Sequence, residues 1–194
     1  MPIDGALGDL ESDGDLDLVV CTTSGNGLRV MLNSDGLGSF GAPASYTIGS
    51  SPKSVALADF NLDGHLDVVT ANSGSDDVSV LLNNGDGTLG TAAGYGVGST
   101  PYQVVAADFN ADGYPDLAAC KYNGASVSVI LNNQVQNDGT GTFSASNAGG
   151  IFSQPYSTQL IDVDLDGDLD TVLACSGLPG GSSQICVHKN KACP

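Results

Sequence analysis

The nine residues Asp59-Phe60-Asn61-Leu62-Asp63-Gly64-His65-Leu66-Asp67 form a pattern that this chain repeats four times. The other copies are Asp9–Asp17 (DLESDGDLD), Asp108–Asp116 (DFNADGYPD) and Asp162–Asp170 (DVDLDGDLD). All four place oxygen-bearing side chains at positions 1, 3, 5 and 9. Such side chains can converge on Ca²⁺, which takes about six to eight oxygen ligands. Glycine at position 6 supplies the positive φ that a tight loop needs. The pattern therefore predicts a calcium loop.

Two other interpretations of this loop need to be weighed. An EF-hand requires a glutamate at position 12 and flanking helices. Position 12 here is Val20, Thr70, Ala119 or Leu173, and the residues after each loop, such as Leu66–Thr70, are β-formers without a helical period. The loop therefore joins two strands. An acidic Asp-Gly turn without metal is the other alternative, and four copies at matching positions argue against it.

The spacing of the loops predicts the fold. They start at residues 9, 59, 108 and 162, and repeats of about 50 residues are typical of propellers or solenoids. In the second repeat, strands are predicted at Ser54–Ala58, Asp67–Ala71, Val78–Leu82 and Ala92–Val97. Four antiparallel strands in one repeat describe a propeller blade. We expect an all-β fold, a single β-propeller domain over 1–194, with four-stranded antiparallel blades at 1–50, 51–99, 100–153 and 154–194.

The last repeat is short of one strand. Its predicted strands are Ser157–Ile161, Thr171–Ala174 and Gln184–Val187, and a fourth strand would start near residue 194. Either four blades close as a small ring, or the chain is part of a larger propeller. In the second case a homodimer partner, another chain or further sequence completes the ring. The unfinished blade favours the second arrangement, because an exposed blade edge invites pairing.

The charge of the chain excludes several classes of partner. The formal net charge is −17, and sixteen of the 22 acidic residues lie in the four loops. Nucleic acids and anionic lipid surfaces require basic patches, so neither is an expected partner. No apolar run is long enough to span a membrane, and no signal peptide is visible at Met1–Asp4. If the protein is exported, we expect that its leader has been cut away or is not included in this sequence.

The five cysteines indicate an oxidising compartment only weakly. Cys21 and Cys120 occupy the same strand position in two repeats and are expected to be buried thiols. Cys175 and Cys186 lie on neighbouring predicted strands of one hairpin, so they could form a disulfide. Cys193 is then the odd one.

The loop and the strands around it resemble a known repeat family. The segments VALADFNLDGHLDVVTAN and VSVLLNNGDGT, and again VVAADFNADGYPDLAAC and VSVILNN, are similar to FG-GAP/VCBS repeats. These calcium-loop propeller repeats also occur in integrin α-subunit heads and in some fungal lectins. The resemblance covers essentially the whole chain. It implies one Ca²⁺ in each loop, up to four in all, between the first and second strands of a blade.

The resemblance also implies a ligand set in each loop. The implied side-chain ligands are Asp9, Glu11, Asp13 and Asp17; Asp59, Asn61, Asp63 and Asp67; Asp108, Asn110, Asp112 and Asp116; and Asp162, Asp164, Asp166 and Asp170. Position 7 would give a backbone carbonyl, from Asp15, His65, Tyr114 and Asp168. Glu11 is one methylene longer than the expected Asp or Asn, so the first site is expected to bind more weakly.

For function, we expect a non-enzymatic extracellular module that binds a protein or glycan, in adhesion for example. Weak calcium sites require the extracellular space, the cell surface or the periplasm, because cytosolic Ca²⁺ is scarce. One alternative is a lectin with sugar between blades, and its candidate stacking residues are Tyr46, Tyr95, Tyr102 and Tyr156. Tyr102 and Tyr156, each after a proline, are expected to pack between blades.

The other alternative is a non-catalytic or catalytic part of a polysaccharide-active enzyme. No G-x-S-x-G motif occurs, and neither His65 nor His188 lies near a nucleophile motif. Asp76-Asp77 could form an acid pair, but neighbouring strand residues point to opposite faces, so a solvated turn is the expected structure there.

Overall fold

The protein is all-β in the part that the structure describes. The computed structural model describes residues 1–23, 25, 27–123, 126–132, 143–148, 154–163, 165, 169–175 and 184–188. No helix in these ranges is long and apolar enough to cross a membrane. The strands form four antiparallel sheets in which each strand pairs with the next one along the chain.

Each sheet corresponds to one sequence repeat. The first contains β1 (Pro2–Gly8), β2 (Asp17–Thr22), β3 (Gly27–Met31) and β4 (Ala44–Thr47). The second contains β5 (Pro52–Ala58), β6 (Asp67–Asn72), β7 (Asp77–Leu81) and β8 (Ala93–Gly96). The third contains β9 (Pro101–Ala107), β10 (Asp116–Lys121), β11 (Ser126–Asn132) and β12 (Phe143–Ala148). The fourth contains β13 (Pro155–Ile161), β14 (Asp170–Cys175) and β15 (Gln184–His188).

The predicted propeller of four-stranded antiparallel blades is confirmed. In the second repeat, the observed strands differ from the predicted ones by at most two residues at either end. The four sheets lie inside the four predicted repeat ranges, and the described part of the fourth contains three strands. The prediction of a single domain over 1–194 stays a prediction.

Three apolar cores lie between consecutive sheets and hold them face to face. Val19, Leu28 and Val55 belong to the core between the first two sheets. Val80 and Val104 belong to the core between the second and third. A smaller core between the third and fourth sheets contains Cys120, Val127, Leu173 and others. Burial of these side chains is the main stabilising contribution to the stack, at about 1.5–3 kcal/mol for each large side chain.

Strand β6 shows why the central strands are apolar on both faces. All six of its residues are buried. Successive side chains of a strand point to opposite faces, so Val68 packs in the core with the first sheet and Val69 in the core with the third. Strand β2 instead alternates buried with half-buried residues, because only one of its faces lies against another sheet.

The first strands of the sheets, β1, β5, β9 and β13, are innermost and pack side by side. A side chain on each of the first three accepts a hydrogen bond from a backbone N–H of the next inner strand: Asp4 from Val55 at 3.1 Å, Ser54 from Val104 at 3.4 Å and Gln103 from Thr158 at 2.6 Å. These bonds fix the spacing of the inner strands by a polar contact that repeats from sheet to sheet.

Two predictions about tyrosines prove wrong. Tyr102 and Tyr156 do not pack between blades; their side chains are 38% and 40% exposed. Each occupies a position where the register of the strand shifts by one residue, directly after the proline. Such a β-bulge re-aims the side chain of the extra residue, and here it turns both rings to the surface.

The cysteine predictions fare differently. Cys21 and Cys120 are buried free thiols, as predicted. Burial raises the pKa of Cys120 to about 11, so this thiol is unreactive near neutral pH. The hairpin register puts Cys186 opposite Leu173 and Gln184 opposite Cys175. This offset of two residues disfavours a Cys175–Cys186 disulfide, because diagonal neighbours lie about 7–8 Å apart. The side chain of Cys186 and all of Cys193 lie outside the described residues.

Candidate metal centres

The loops between the first and second strands share one backbone turn. The fourth loop residue has a positive φ in every copy: 58° at Ser12, 57° at Leu62, 59° at Ala111 and 61° at Leu165. The glycine at position 6 has a φ of 93°, 91° and 92° in the first three copies. A side chain at φ above zero is uncommon and strained. Its recurrence indicates that the rest of the loop holds this turn in place.

The first-position carboxylate closes the turn. In the second loop, the two oxygens of Asp59 accept from the N–H groups of Asp63 at 3.1 Å and Gly64 at 2.9 Å. The same pair of bonds is made by Asp9 in the first loop and by Asp108 in the third. The carboxylate therefore lies inside the turn rather than in bulk solvent.

The third and fifth positions bring further oxygens to the same turn. Asn61 accepts from the N–H of Asp63 at 3.2 Å and donates to the Asp63 carboxylate at 2.8 Å. Asn110 and Asp112 make the same two contacts in the third loop. The fifth-position carboxylate also accepts from the N–H of position 7, which is His65 in the second loop, at 2.9 Å.

The first loop contains more acidic residues than the second and third. Partial burial, followed by the neighbouring carboxylate of Asp13, raises the pKa of both Glu11 and Asp15. Like charges in one turn disfavour the ionised forms of one another. A bound cation would remove this repulsion by turning the carboxylates into ligands.

The ninth-position aspartate is buried and bridges two backbone segments. Asp67 is fully buried; one carboxylate oxygen accepts from the N–H of Phe60 at 2.9 Å and the other from that of Asn83 at 2.8 Å. Asp17 and Asp116 are also fully buried and make the equivalent pairs of bonds. The ninth-position aspartate therefore links the loop to the end of the third strand by hydrogen bonds, whether or not it also binds a metal ion.

Burial raises the pKa of Asp67 to about 6, even though the N–H groups of Asn83 and Phe60 favour its charged form. The pKa of Asp116 is raised for the same reason. A carboxylate buried in this way loses solvation that two amide donors restore only in part.

Sequence reasoning missed a buried asparagine that joins neighbouring sheets. Asn83 donates to the carbonyl of Leu10, in the loop of the preceding sheet, at 2.7 Å, and to that of Leu66 in its own loop at 3.1 Å. Asn132 donates likewise to the Phe60 and Pro115 carbonyls. Asparagine recurs sixteen residues after the ninth loop position, at Asn33, Asn83 and Asn132, and this spacing is the signal that could have revealed it.

We expect Asn83→Ala to lower the free energy of unfolding by about 2–4 kcal/mol, because it leaves the buried Leu10 carbonyl without its donor. Asn84→Ala is the matched control. Asn84 is exposed, and its side chain contacts only Thr88 of the same turn among the hydrogen bonds described. Chemical denaturation of both variants measures the difference, and equal losses would contradict the tethering role.

The chemistry of these loops fits a hard cation. Each of the first three loops presents carboxylate or amide oxygens at positions 1, 3 and 5, and a carboxylate oxygen with one hydrogen bond keeps a second acceptor site. Among the described residues, no three His, Cys, Asp or Glu side chains are grouped as a metal site requires. The first- and fifth-position carboxylates instead bind the loop's own N–H groups. The residues fit Ca²⁺ by donor type, and their role as ligands stays a prediction.

Some of the predicted metal ligands lie outside the described residues, and others make different contacts. Asp164, Asp166 and Asp168 of the fourth loop fall outside the described residues. Asp170 is buried and accepts from the Val163 N–H at 3.0 Å, as its counterparts do. The His65 ring lies 3.3 Å from the Ser12 hydroxyl of the preceding loop, so this side chain contributes to contact between sheets.

A family model described as FG-GAP-like repeat matches the chain three times in overlapping stretches, at residues 9–70, 59–119 and 108–173. Each match begins at the first aspartate of a loop and runs to position 12 of the next. The chain belongs to the FG-GAP-like repeat family. A search of curated protein sequences finds no significant relative of this FG-GAP-like chain.

Several solved structures share the fold. One is an Agrocybe aegerita lectin described as specifically recognising non-reducing terminal N-acetylglucosamine, with a TM-score of 0.56 and 22% identity over 92% of this chain and 50% of the lectin. Another is an auxiliary nutrient binding protein from Bacteroides ovatus, with a TM-score of 0.58 and 11% identity over 95% of this chain and 46% of the other. A third is the Photorhabdus luminescens Tc holotoxin pore, with a TM-score of 0.52 and 22% identity over 93% of this chain and 9% of the other. The FG-GAP-like chain thus spans half or less of the length of these structures.

Proposed function

We propose that this FG-GAP-like chain is an extracellular, calcium-stabilised binding module that recognises a protein or glycan partner, as in adhesion, and that it acts without catalysis. The observation that carries the proposal is the repeated loop. The same turn, with carboxylates at positions 1 and 5 and an acid or amide at position 3, occurs in three described loops. Ca²⁺ would neutralise the charge that these side chains concentrate there.

An extracellular location follows from the strength of such sites. The first- and fifth-position side chains are half-buried or exposed, so an ion held by them remains partly hydrated and moderately bound. Sensor and extracellular calcium sites have dissociation constants of about 10⁻⁷–10⁻³ M. Millimolar external calcium occupies half or more of the sites across this range, whereas scarce cytosolic calcium leaves the weaker of them empty.

The binding role rests on the fold, on the charge and on the structural neighbours. A lectin and a nutrient-binding protein share the fold, and a net charge of −17 disfavours nucleic acid and anionic lipid as partners. One face of β2 is only half-buried. A second copy or a partner chain could pack a sheet on this face, in the way that the second sheet packs on the other face, and so add a blade to the propeller. Both carboxylates of Asp76-Asp77 accept hydrogen bonds from neighbouring residues: Asp76 from the Thr100 N–H, and Asp77 from Asn72 and Ser75. These bonds disfavour a role for the two residues as a catalytic acid pair.

A lectin is the second candidate function, because a pocket of about 380 Å³ lies between the first two sheets beside Tyr46 and Leu89. The Tyr46 hydroxyl accepts from the Leu89 N–H at 3.1 Å. This bond holds the Tyr46 ring across the boundary between the two sheets. It also makes the Tyr46 hydroxyl less available to a sugar, which weighs against this pocket as the binding site.

Calcium titration by calorimetry tests the proposal directly. We expect up to four ions per chain, and one fewer in Asp59→Ala, because this change removes the carboxylate at the centre of the second loop. Asp86→Ala is the matched control, since Asp86 is an exposed turn residue bonded to Thr88. Absence of calcium binding, or an unchanged ion count in Asp59→Ala, would contradict the proposal.

A further inference from the structure

Each innermost strand contains one extra residue at the same place, directly after its first proline. The register shifts between Pro2 and Asp4 in β1, and at the corresponding places in β5, β9 and β13. The extra residues are Ile3, Lys53, Tyr102 and Tyr156. Bulges re-aim side chains and are frequent next to binding and active sites. Here the four side chains line one pocket of about 310 Å³, which we call the axial pocket.

The walls of the axial pocket are fixed, whereas the four bulge residues differ chemically; three of them are exposed and Lys53 is half-buried. The residue after each bulge also lines the pocket. In the first three sheets that residue is held by its hydrogen bond to the next inner strand. Ile3, Tyr102 and Tyr156 are 37%, 38% and 40% exposed. The bulge position therefore holds one aliphatic, one cationic and two phenolic side chains. By contrast, the structural positions of the loops repeat the same aspartates and asparagines from sheet to sheet. The pocket is therefore a built concavity with specific chemistry.

The aromatic part of the pocket is preorganised. The Tyr102 ring lies 5.6 Å from the Tyr122 ring, centroid to centroid, and the Lys53 ammonium lies 5.7 Å from the centroid of Tyr102. These contacts restrain the ring and place a hydrogen-bond donor, the Lys53 ammonium, over its face. Tyr156 contributes a second ring with a hydroxyl group. Flat apolar faces next to donors and acceptors suit a ligand that is itself apolar on one face and hydroxylated around its edge.

Charge decides the class of ligand. Lys53 and Asp4 both line the pocket and their formal charges cancel, so the pocket does not favour an ion of either sign. The whole chain carries −17 and repels polyanions at a distance. A neutral pyranose has an apolar face for stacking and hydroxyl groups that both donate and accept.

We infer that the axial pocket binds a neutral saccharide unit, stacked on Tyr156, with hydroxyl groups bonded to Lys53 and to the polar side chains that follow the bulges. This inference rests on the proposed binding function and gives it a site and a ligand class. The volume lies at the lower end of the range of about 300–1,000 Å³ typical of small-molecule sites, which suits one or two sugar rings. The site is distinct from the pocket beside Tyr46 between the first two sheets.

A glycan array, followed by calorimetry on the calcium-loaded full chain, tests the inference. We expect neutral glycans to bind, and Tyr156→Ala and Lys53→Gln each to weaken binding by at least about tenfold. Phe40→Ala, which removes another exposed aromatic, and Arg29→Gln, which removes another cation, are matched controls expected to leave binding unchanged. Thr91→Arg, which fills the pocket beside Tyr46, should also leave it unchanged.

Three results would overturn the inference: no neutral glycan bound, a preference for anionic glycans, or neutral-glycan binding that survives Tyr156→Ala and Lys53→Gln. The calcium titration separates this failure from that of the proposed function. If the chain binds calcium but no neutral glycan, the proposed calcium-stabilised module stands and the inferred axial site is wrong. If the chain binds neutral glycan at the axis but no calcium, the inferred site stands and the proposed role of calcium is wrong.

Discussion

Removal of calcium with EGTA is expected to lower the melting temperature of this protein by more than ~10 °C. With a dissociation constant of about 10 µM and millimolar calcium, each occupied loop contributes about 2.7 kcal/mol to the free energy of unfolding. Four loops together contribute about 11 kcal/mol, comparable with the whole stability of a typical domain, about 5–15 kcal/mol.

The physical cause is the crowding of charge in the loops. Sixteen of the 22 acidic residues occupy four nine-residue segments. Without a cation, the carboxylates of one loop repel one another. With Ca²⁺ bound, the same charges become attractive interactions with the ion. The effect acts on the folded state alone, because the unfolded chain does not hold the oxygens together.

Differential scanning calorimetry in calcium, in EGTA and in EGTA with excess calcium restored measures the shift. Sodium chloride at matched ionic strength is the necessary control, because screening alone stabilises a chain with a net charge of −17. Magnesium should restore little, since it requires a smaller octahedral site. A melting curve that EGTA leaves unchanged would contradict a structural role for calcium.

The blade architecture could be predicted because its signals are local. Val78–Leu82 alternates as a strand does, and the acidic loop recurs at nearly constant spacing. The structure places β7 at Asp77–Leu81, within one residue of the prediction. The paired loop residues are also local: Asp59 binds the N–H groups four and five residues later. Patterns confined to one turn or one strand can be read from the sequence alone.

The features that were missed depend on contacts between distant residues. Asn83 resembles an ordinary turn residue, yet its amide reaches Leu10, 73 residues away. The inward or outward direction of Tyr102 and Tyr156 depends on a register shift against the second strand. The bulge follows the first residue of each strand, so too few residues precede it to show a shift in hydrophobic periodicity, and the axial pocket was not predictable from the pattern of either strand.

Asp67→Asn is expected to destabilise the protein by about 3 kcal/mol, which corresponds to a fall in melting temperature of about 6–12 °C. The substitution keeps the shape of the side chain and removes one acceptor. Asp67 accepts from Phe60 N–H and Asn83 N–H, one with each oxygen, at a fully buried position. The amide of asparagine satisfies one of these donors and turns an NH₂ group toward the other, so two donors face each other without water.

Measurement of this variant in calcium and in EGTA separates the bridging role of Asp67 from its predicted role as a metal ligand. If the carboxylate acts through the two backbone N–H groups, Asp67→Asn lowers the melting temperature in both conditions. Asp63→Ala provides the contrast, because Asp63 is exposed and its carboxylate bonds only within its own loop among the contacts described. Its destabilisation should be large in calcium and small in EGTA. An Asp67→Asn effect that disappears in EGTA would show that this buried aspartate acts through the ion alone.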